Sequence, residues 1–231
     1  MAELHPAGGA RIRGVAGRTS LPAMKGNIPA ATVARLPLYL RSLIEVAAGA
    51  PTCSSEELAL LAGVNPAQVR KDLSYLDPPG VRGVGYRTAA LRDLLRRELG
   101  LTKSYRVGIA GAGNLGKALT LYPGFVDSGF EIVALFDVDD SKVGERVSSV
   151  PVASMNDLEQ VVRLEGVTIG IIATPADAAQ SVADRFVAAG VHSILNFAPA
   201  VLRVRGDAQV RRVDLSTELQ ILAYHQSLNP A

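Results

Sequence analysis

The chain has 231 residues, 48% of them hydrophobic, which is ample for the buried cores of one large or two small domains. Its single cysteine, Cys53, cannot close an internal disulfide, and no apolar run approaches the roughly 20 residues needed to cross a bilayer. These features exclude a disulfide scaffold and a helical membrane protein, and a cytoplasmic location is expected. The formal net charge of +2 conceals a division: residues 1–103 hold 14 Lys/Arg against 8 Asp/Glu, and residues 104–231 hold 10 against 14, giving +6 and −4. Such asymmetry is expected when one domain meets phosphates and the other does not.

Residues 1–25 contain Arg11, Arg13, Arg18 and Lys25 but no apolar stretch of a secretory signal, and read as a disordered basic arm. A packing helix is expected from about Thr32 to Ala47, with Leu36, Leu40, Leu43 and Ile44 on one face and Pro37 distorting its early turns. Ser54 and Glu57 have the spacing of a capping box ahead of a short helix that stops at Gly63. Asn65 and Pro66 then suit the N-cap and first position of a third helix running to about Leu76. Helix, glycine-containing turn and helix form the outline of a helix-turn-helix.

On the third helix Val69, Leu73 and Leu76 share one face, which leaves Arg70, Lys71, Ser74 and Tyr75 on the sides or opposite as donors for phosphates and base edges. The following segment, VRGVGYR, carries Arg82 and Arg87 around glycines and suggests a β-hairpin wing before another helix near Thr88. Ser54, Gln68, Arg70, Lys71, Ser74, Tyr75, Arg82, Gly83 and Tyr86 make up the expected DNA-contacting set. A solvated surface helix would carry similar residues; the wing and the charge division favour DNA.

After Gly100 the hydrophobic period changes, and short β-rich runs alternate with helix-like stretches in βαβ fashion. The run RVGIAGAGNLGKAL is a strand, a G-x-G-x-x-G loop at Gly111, Gly113 and Gly116, and a helix. This is the Rossmann arrangement, in which the loop Gly111, Ala112, Gly113, Asn114, Leu115 and Gly116 cradles a pyrophosphate at the helix N-terminus. Asp137, followed by Val138, ends the next strand, where a carboxylate accepts hydrogen bonds from an adenosine ribose and repels a 2′-phosphate. NAD(H) is therefore favoured over NADP(H). Thr174, Pro175, Asn196, Phe197 and Ala198 fall at or just beyond the carboxyl ends of later strands, the ligand edge of an open α/β sheet.

A dehydrogenase needs a general acid or base. His5 lies in the tail, His192 near a strand and His225 on the last helix, with no metal-binding cluster nearby, so no catalytic set and no metal site are assigned. Two other readings stay open from the residues alone: a small NAD-dependent dehydrogenase with an accessory basic domain, and a CoA- or nucleotide-binding module.

The motifs ATVARLPLYLR, SSEELA, VRKDLSYL, RGVGY, GAGNLGKAL, YPGF, FDVD, IATPA, ILNFAP and VDLSTELQILAYH, from about Ile28 to His225, together resemble Rex, a family of bacterial redox-sensing repressors, with wording closest to its actinobacterial members. The resemblance implies an α/β chain comprising a winged helix-turn-helix at 26–100, a Rossmann NAD(H)-binding domain at 101–213 and a C-terminal, domain-swapped dimerisation helix at 214–231. It implies a homodimer on palindromic double-stranded operator DNA, released by NADH, with NAD+ as the competing ligand. It also implies a polar switch made of Arg35, Tyr122 and Asp214. Where the family carries glycine-rich aromatic sequence before the wing, this chain has Leu76-Asp77-Pro78-Pro79-Gly80.

Overall fold

The computed structural model describes residues 28–46, 50–78, 80–81 and 83–228; the basic arm expected at 1–25 and the expected DNA contact Arg82 lie outside these residues. The chain divides into two compact units between Leu99 and Gly100.

The first unit begins with α1 (Ala30–Val33) and α2 (Leu36–Val46). The single helix expected from Thr32 is broken at Ala34 and Arg35. Pro37 lacks the N–H that would bond the Val33 carbonyl, and its ring would clash with that oxygen, so the chain restarts as a second helix. The strand β1 (Thr52–Cys53) leads into α3 (Ser55–Ala62). Ser54 caps α3 through a reciprocal box: the Glu57 N–H donates to Ser54 Oγ at 3.1 Å, and the Ser54 N–H donates to Glu57 Oε2 at 2.7 Å. Gly63 then closes α3 in the left-handed region. Asn65 caps α4 (Pro66–Ser74) by accepting the Gln68 N–H at 2.8 Å, a bond worth about 1 kcal/mol to the helix.

Beyond α4, Asp77 adopts a left-handed φ of 52°, which a short polar side chain tolerates. The wing consists of β2 (Gly80–Val81) and β3 (Gly85–Arg87), and α5 (Thr88–Glu98) follows directly. β3 pairs antiparallel with both β2 and β1, which roots the wing at the start of α3. Leu36, Tyr39, Leu43, Leu58, Val69, Leu73, Leu91 and Leu95 fill a core shared by α2, α3, α4 and α5.

The second unit contains β4 (Tyr105–Ala110), α6 (Asn114–Thr120), α7 (Pro123–Asp127), β5 (Phe130–Asp137), β6 (Arg146–Val147), β7 (Val150–Ser154), α8 (Leu158–Leu164), β8 (Ile169–Ile172), α9 (Ala176–Ala188), β9 (Ser193–Asn196), β10 (Gln209–Arg212) and α10 (Leu215–Leu228). The sheet order is β10-β9-β8-β4-β5-β7-β6, parallel apart from the β6–β7 pair. Its six parallel strands follow the doubly wound order 3-2-1-4-5-6, so the strand order reverses between β4 and β8, where such sheets bind ligands. One face buries Phe136, Leu158, Val162, Val182 and Phe186 beneath α8 and α9. The other buries Val107, Ile109, Leu135 and Ile171 against Leu119 and Phe125. In contrast α10 buries none of its residues: Leu215, Leu219, Leu222, Tyr224 and Leu228 are each at least 60% exposed.

Candidate functional site

The nucleotide edge is built where β4 ends. Gly111 has φ 107°, and a Cβ there would sit 2.5 Å from the Ala173 carbonyl oxygen. A Cβ on Gly116 would come within 1.8 Å of the Gly111 oxygen, so α6 packs this closely on its strand because that side chain is missing. Above Gly113, by contrast, nothing lies within 4 Å of the Cβ position, which leaves open space over the loop backbone. One strand away, Asp137 Oδ2 accepts the Ala112 N–H at 2.8 Å and Lys142 Nζ at 3.1 Å, and Oδ1 accepts the Asp139 N–H at 2.9 Å. Burial opposes ionisation, yet the Asp139 N–H, the Lys142 ammonium and the Ala112 N–H together hold this carboxyl below its usual range. It is an anion fixed at the sheet edge beside the glycine loop.

Thr174 Oγ1, just past β8, is buried without a hydrogen-bond partner among the described residues. Asn196 behaves otherwise: it is 1% exposed, its amide donates to the carbonyls of Ala198 and Ala200 at 3.2 and 2.9 Å, and it accepts the Ala198 N–H. Its side chain braces the loop that carries Phe197 and Ala198. An open glycine loop, a fixed ribose-type carboxylate and an orphan hydroxyl fit a dinucleotide.

In the first unit, Ser54, Arg70, Gly83 and Tyr86 line one groove of about 450 Å³, together with Ser55, Glu56 and Val84. Lys71, Ser74 and Tyr75 are exposed on α4, although the Ser74 hydroxyl donates back to the Lys71 carbonyl. Arg70 Nη1 donates to Ser55 Oγ at 2.9 Å and to Glu56 Oε1 at 3.0 Å. Gln68 points the other way and donates to Asp72 at 2.9 Å. Asp72, Glu56 and Lys142 were not singled out from the sequence. For Asp72 a signal existed: three residues after Val69 and four before Leu76, it is a carboxylate on the apolar stripe of its own helix.

Comparison with known proteins decides between the readings. A family model described as "Putative DNA-binding protein N-terminus" matches residues 27–74, and one described as "CoA binding domain" matches residues 102–200. A redox-sensing transcriptional repressor Rex of Streptomyces avermitilis is 56% identical over 212 residues, covering 91% of this chain and 84% of the relative. Another, from Streptomyces coelicolor, is 55% identical and covers 91% and 82%. The chain belongs to the Rex family.

The solved structures agree. A Rex-family repressor, RSP, in complex with NAD+ and operator DNA matches with TM-score 0.81 and 37% identity, covering 87% of this chain and 93% of that one. RSP with NADH matches with TM-score 0.77 and 36% identity over 87% and 95%. Rex proteins are redox-sensing transcriptional repressors, which replaces the dehydrogenase alternative.

The three switch residues suggested by the family resemblance are each engaged within their own unit. Arg35 donates to Asp72 from Nε at 2.6 Å and from Nη2 at 2.9 Å. Tyr122 precedes α7, is 56% exposed and packs edge-on against Phe125. Asp214 accepts from the Ser216 and Thr217 N–H groups at the start of α10 and pairs with Arg212. The Thr217 hydroxyl and N–H and the Arg212 charge keep Asp214 ionised below its usual range. No helix of the described residues is long and apolar enough to cross a membrane, and no metal-ligating group of three or more His, Cys, Asp or Glu occurs among them.

Proposed function

We propose that this chain is a cytoplasmic repressor that binds palindromic operator DNA as a homodimer and leaves it when NADH rises relative to NAD+. The carrying observation is that one chain joins a basic helix-turn-helix face to a glycine-loop edge ending in Asp137. Gly111, Ala112, Gly113, Asn114, Leu115, Gly116, Asp137 and Val138 take the adenosine diphosphate half of NAD(H), and Thr174, Pro175, Phe197 and Ala198 flank the other half, with Asn196 shaping their loop. Arg70, Lys71, Ser74, Tyr75, Ser54, Gly83, Arg82 and Tyr86 meet the operator, whereas Gln68, expected among them, is turned to Asp72 instead. The working divisions are 26–100 for DNA, 101–213 for nucleotide and 214–231 for dimerisation.

The exposed leucines of α10 support its role as a helix that completes a second copy of the chain. Arg35, Tyr122 and Asp214 form the switch, in which a carboxylate can exchange a guanidinium for a phenol.

The test is fluorescence anisotropy of a labelled palindromic operator titrated with the full chain, alone and with saturating NADH, NAD+ or CoA. Release by NADH far more than by NAD+ is expected. Indifference to NADH overturns the proposal, and release by CoA in its place would favour the nucleotide-module reading that the 102–200 family match suggests.

A further inference from the structure

Residues 1–27 hold Arg11, Arg13, Arg18 and Lys25 against Glu3 alone, a net charge of +3. Residues 28–231 hold 20 Lys/Arg against 21 Asp/Glu, a net charge of −1. The positive sign of the whole chain is therefore carried by its first 27 residues. A protein docking on a duplex gains affinity by placing cations on phosphates and releasing the counterions condensed there, so the position of the excess charge matters.

The folded part of the first unit spends much of its own charge internally. Arg35 meets Asp72 at 2.6 Å, Arg70 meets Glu56 at 3.0 Å, Arg92 meets Asp93 at 3.4 Å and Arg41 meets Glu45 at 3.8 Å. On α4 this leaves Lys71 as the cation without a carboxylate partner among the described residues. Residues 1–27 lead toward α1, which is tied to that same helix: Thr32 Oγ1 donates to Asp72 Oδ1 at 2.9 Å, and Asp72 adjoins Lys71. The chain thus enters the first unit against α4. A stretch of that length spans at most about 90 Å when fully extended, more than about two turns of duplex.

The composition of the stretch narrows its partner. Gly8, Gly9, Gly14 and Gly17 are interspersed with the arginines, and glycine lets a backbone come close to what it binds. No aromatic side chain occurs in residues 1–27 for an unpaired base to stack on, which favours a duplex over a single strand.

We propose that residues 1–27 are a second DNA-contacting element, in which Arg11, Arg13 and Arg18 lie along the phosphates of the operator duplex and its flanks. This rests on the operator binding proposed above and is independent of the response to NADH. It assigns affinity to the arm and leaves sequence choice to α4 and the wing, since phosphate contacts carry no base information.

The experiment compares operator binding by the full chain with that of two triple variants that remove the same charge. One carries Arg11→Gln, Arg13→Gln and Arg18→Gln; the other carries Arg203→Gln, Arg205→Gln and Arg211→Gln on the second unit, where all three residues are exposed. Anisotropy titrations over a salt series give the slope of log affinity against log salt concentration, with thermal unfolding as the check on folding. The arm variant is expected to bind about tenfold or more weakly at low salt, with a slope shallower by about 2–3, because each neutralised phosphate contributes about 0.9. Its preference for operator over mismatched duplex should match the parent's. The second-unit variant should keep its slope within about one of the parent's. A parental slope in the arm variant overturns the proposal, as does an equal loss in both variants, which would make the effect one of overall charge. If the parent does not bind the operator, the proposed function and this inference fall together. If it binds and ignores NADH, the redox reading falls and the role of the arm is still decided by the slopes.

Discussion

Each unit is organised around a buried aspartate, and the two are satisfied in opposite ways. Asp72 takes its hydrogen bonds from side chains of Thr32, Arg35, Tyr39 and Gln68, drawn from separate elements. Asp137 takes two of its bonds from backbone N–H groups of Ala112 and Asp139, and the third from Lys142, five residues away. The first carboxylate clamps helices to one another. The second is oriented by a loop and keeps its place at the ligand edge of the sheet. One is therefore a joint within the first unit, and the other an anion fixed at the edge of the sheet.

The largest expected effect follows from that contrast. Asp72→Ala leaves the Tyr39 and Thr32 hydroxyls and the Arg35 guanidinium without their acceptor, and should destabilise the first unit by about 3 kcal/mol. Thermal unfolding should show the DNA-binding unit melting earlier while NADH binding to the other unit persists. Loss of both together would mean that Asp72 is not a local joint. Next in size, Asp137→Ala should weaken NADH binding by about 1.5–3 kcal/mol, the usual worth of hydrogen bonds to a charged group, with little change in the melting of the first unit. Unchanged NADH affinity would remove Asp137 from the nucleotide site.

The pH response separates a third carboxylate from these two. Glu159 of α8 pairs with Arg185 of α9 through two contacts of 2.6 Å, and this partner holds its carboxyl down at about 2, against an ordinary 4.5. The folded value lies below the unfolded one. The contribution is therefore complete above about pH 4.5 and is lost as pH falls toward 2. Denaturant titrations of the parent and Glu159→Gln should converge as pH drops through that window. Curves that stay parallel from pH 5 to about pH 3 would mean that the pair adds nothing to stability.

The same contrast explains what was legible in the sequence. A strand, a glycine triplet and an acid at the end of the next strand are local signals, because backbone N–H groups do the binding and the motif supplies them in order. The capping residues Ser54 and Asn65 were legible for the same reason, as each acts on the next turn of chain. For Asp72 only its place on the apolar stripe of α4 was legible, and its partners were not, since Thr32 and Arg35 lie 40 and 37 residues away and only the fold brings them together. The sequence marks Pro37 as a distortion; the chain breaks there and restarts with the Leu38 and Tyr39 N–H groups donating to the Arg35 carbonyl. β1 escaped notice because two residues show no period. The exposure of α10 was equally invisible, as an apolar helix reads alike whether it packs on its own unit or on another chain.

The smallest expected effect concerns Arg70, which already faces an anion on its own unit. Glu56 meets it at 3.0 Å, and backbone, Arg70 and Ser55 hydrogen bonds keep that carboxyl below its usual range. Both side chains are more than half exposed, so the pair adds little to stability and should matter chiefly for DNA. A phosphate approaching Arg70 must compete with Glu56, and the carboxylate also repels the backbone it sits beside. Glu56→Gln should therefore leave the melting temperature alone, tighten operator binding by about two- to fivefold at low salt, and steepen its salt dependence by a fraction of one phosphate contact. If Glu56 instead aims Arg70 at a base edge, the same variant binds more weakly and discriminates less between operator and mismatched duplex. The direction of the change thus assigns Arg70 to phosphate or base. In either case the effect stays on the surface of α3 and α4, whereas that of Asp72 reaches the core.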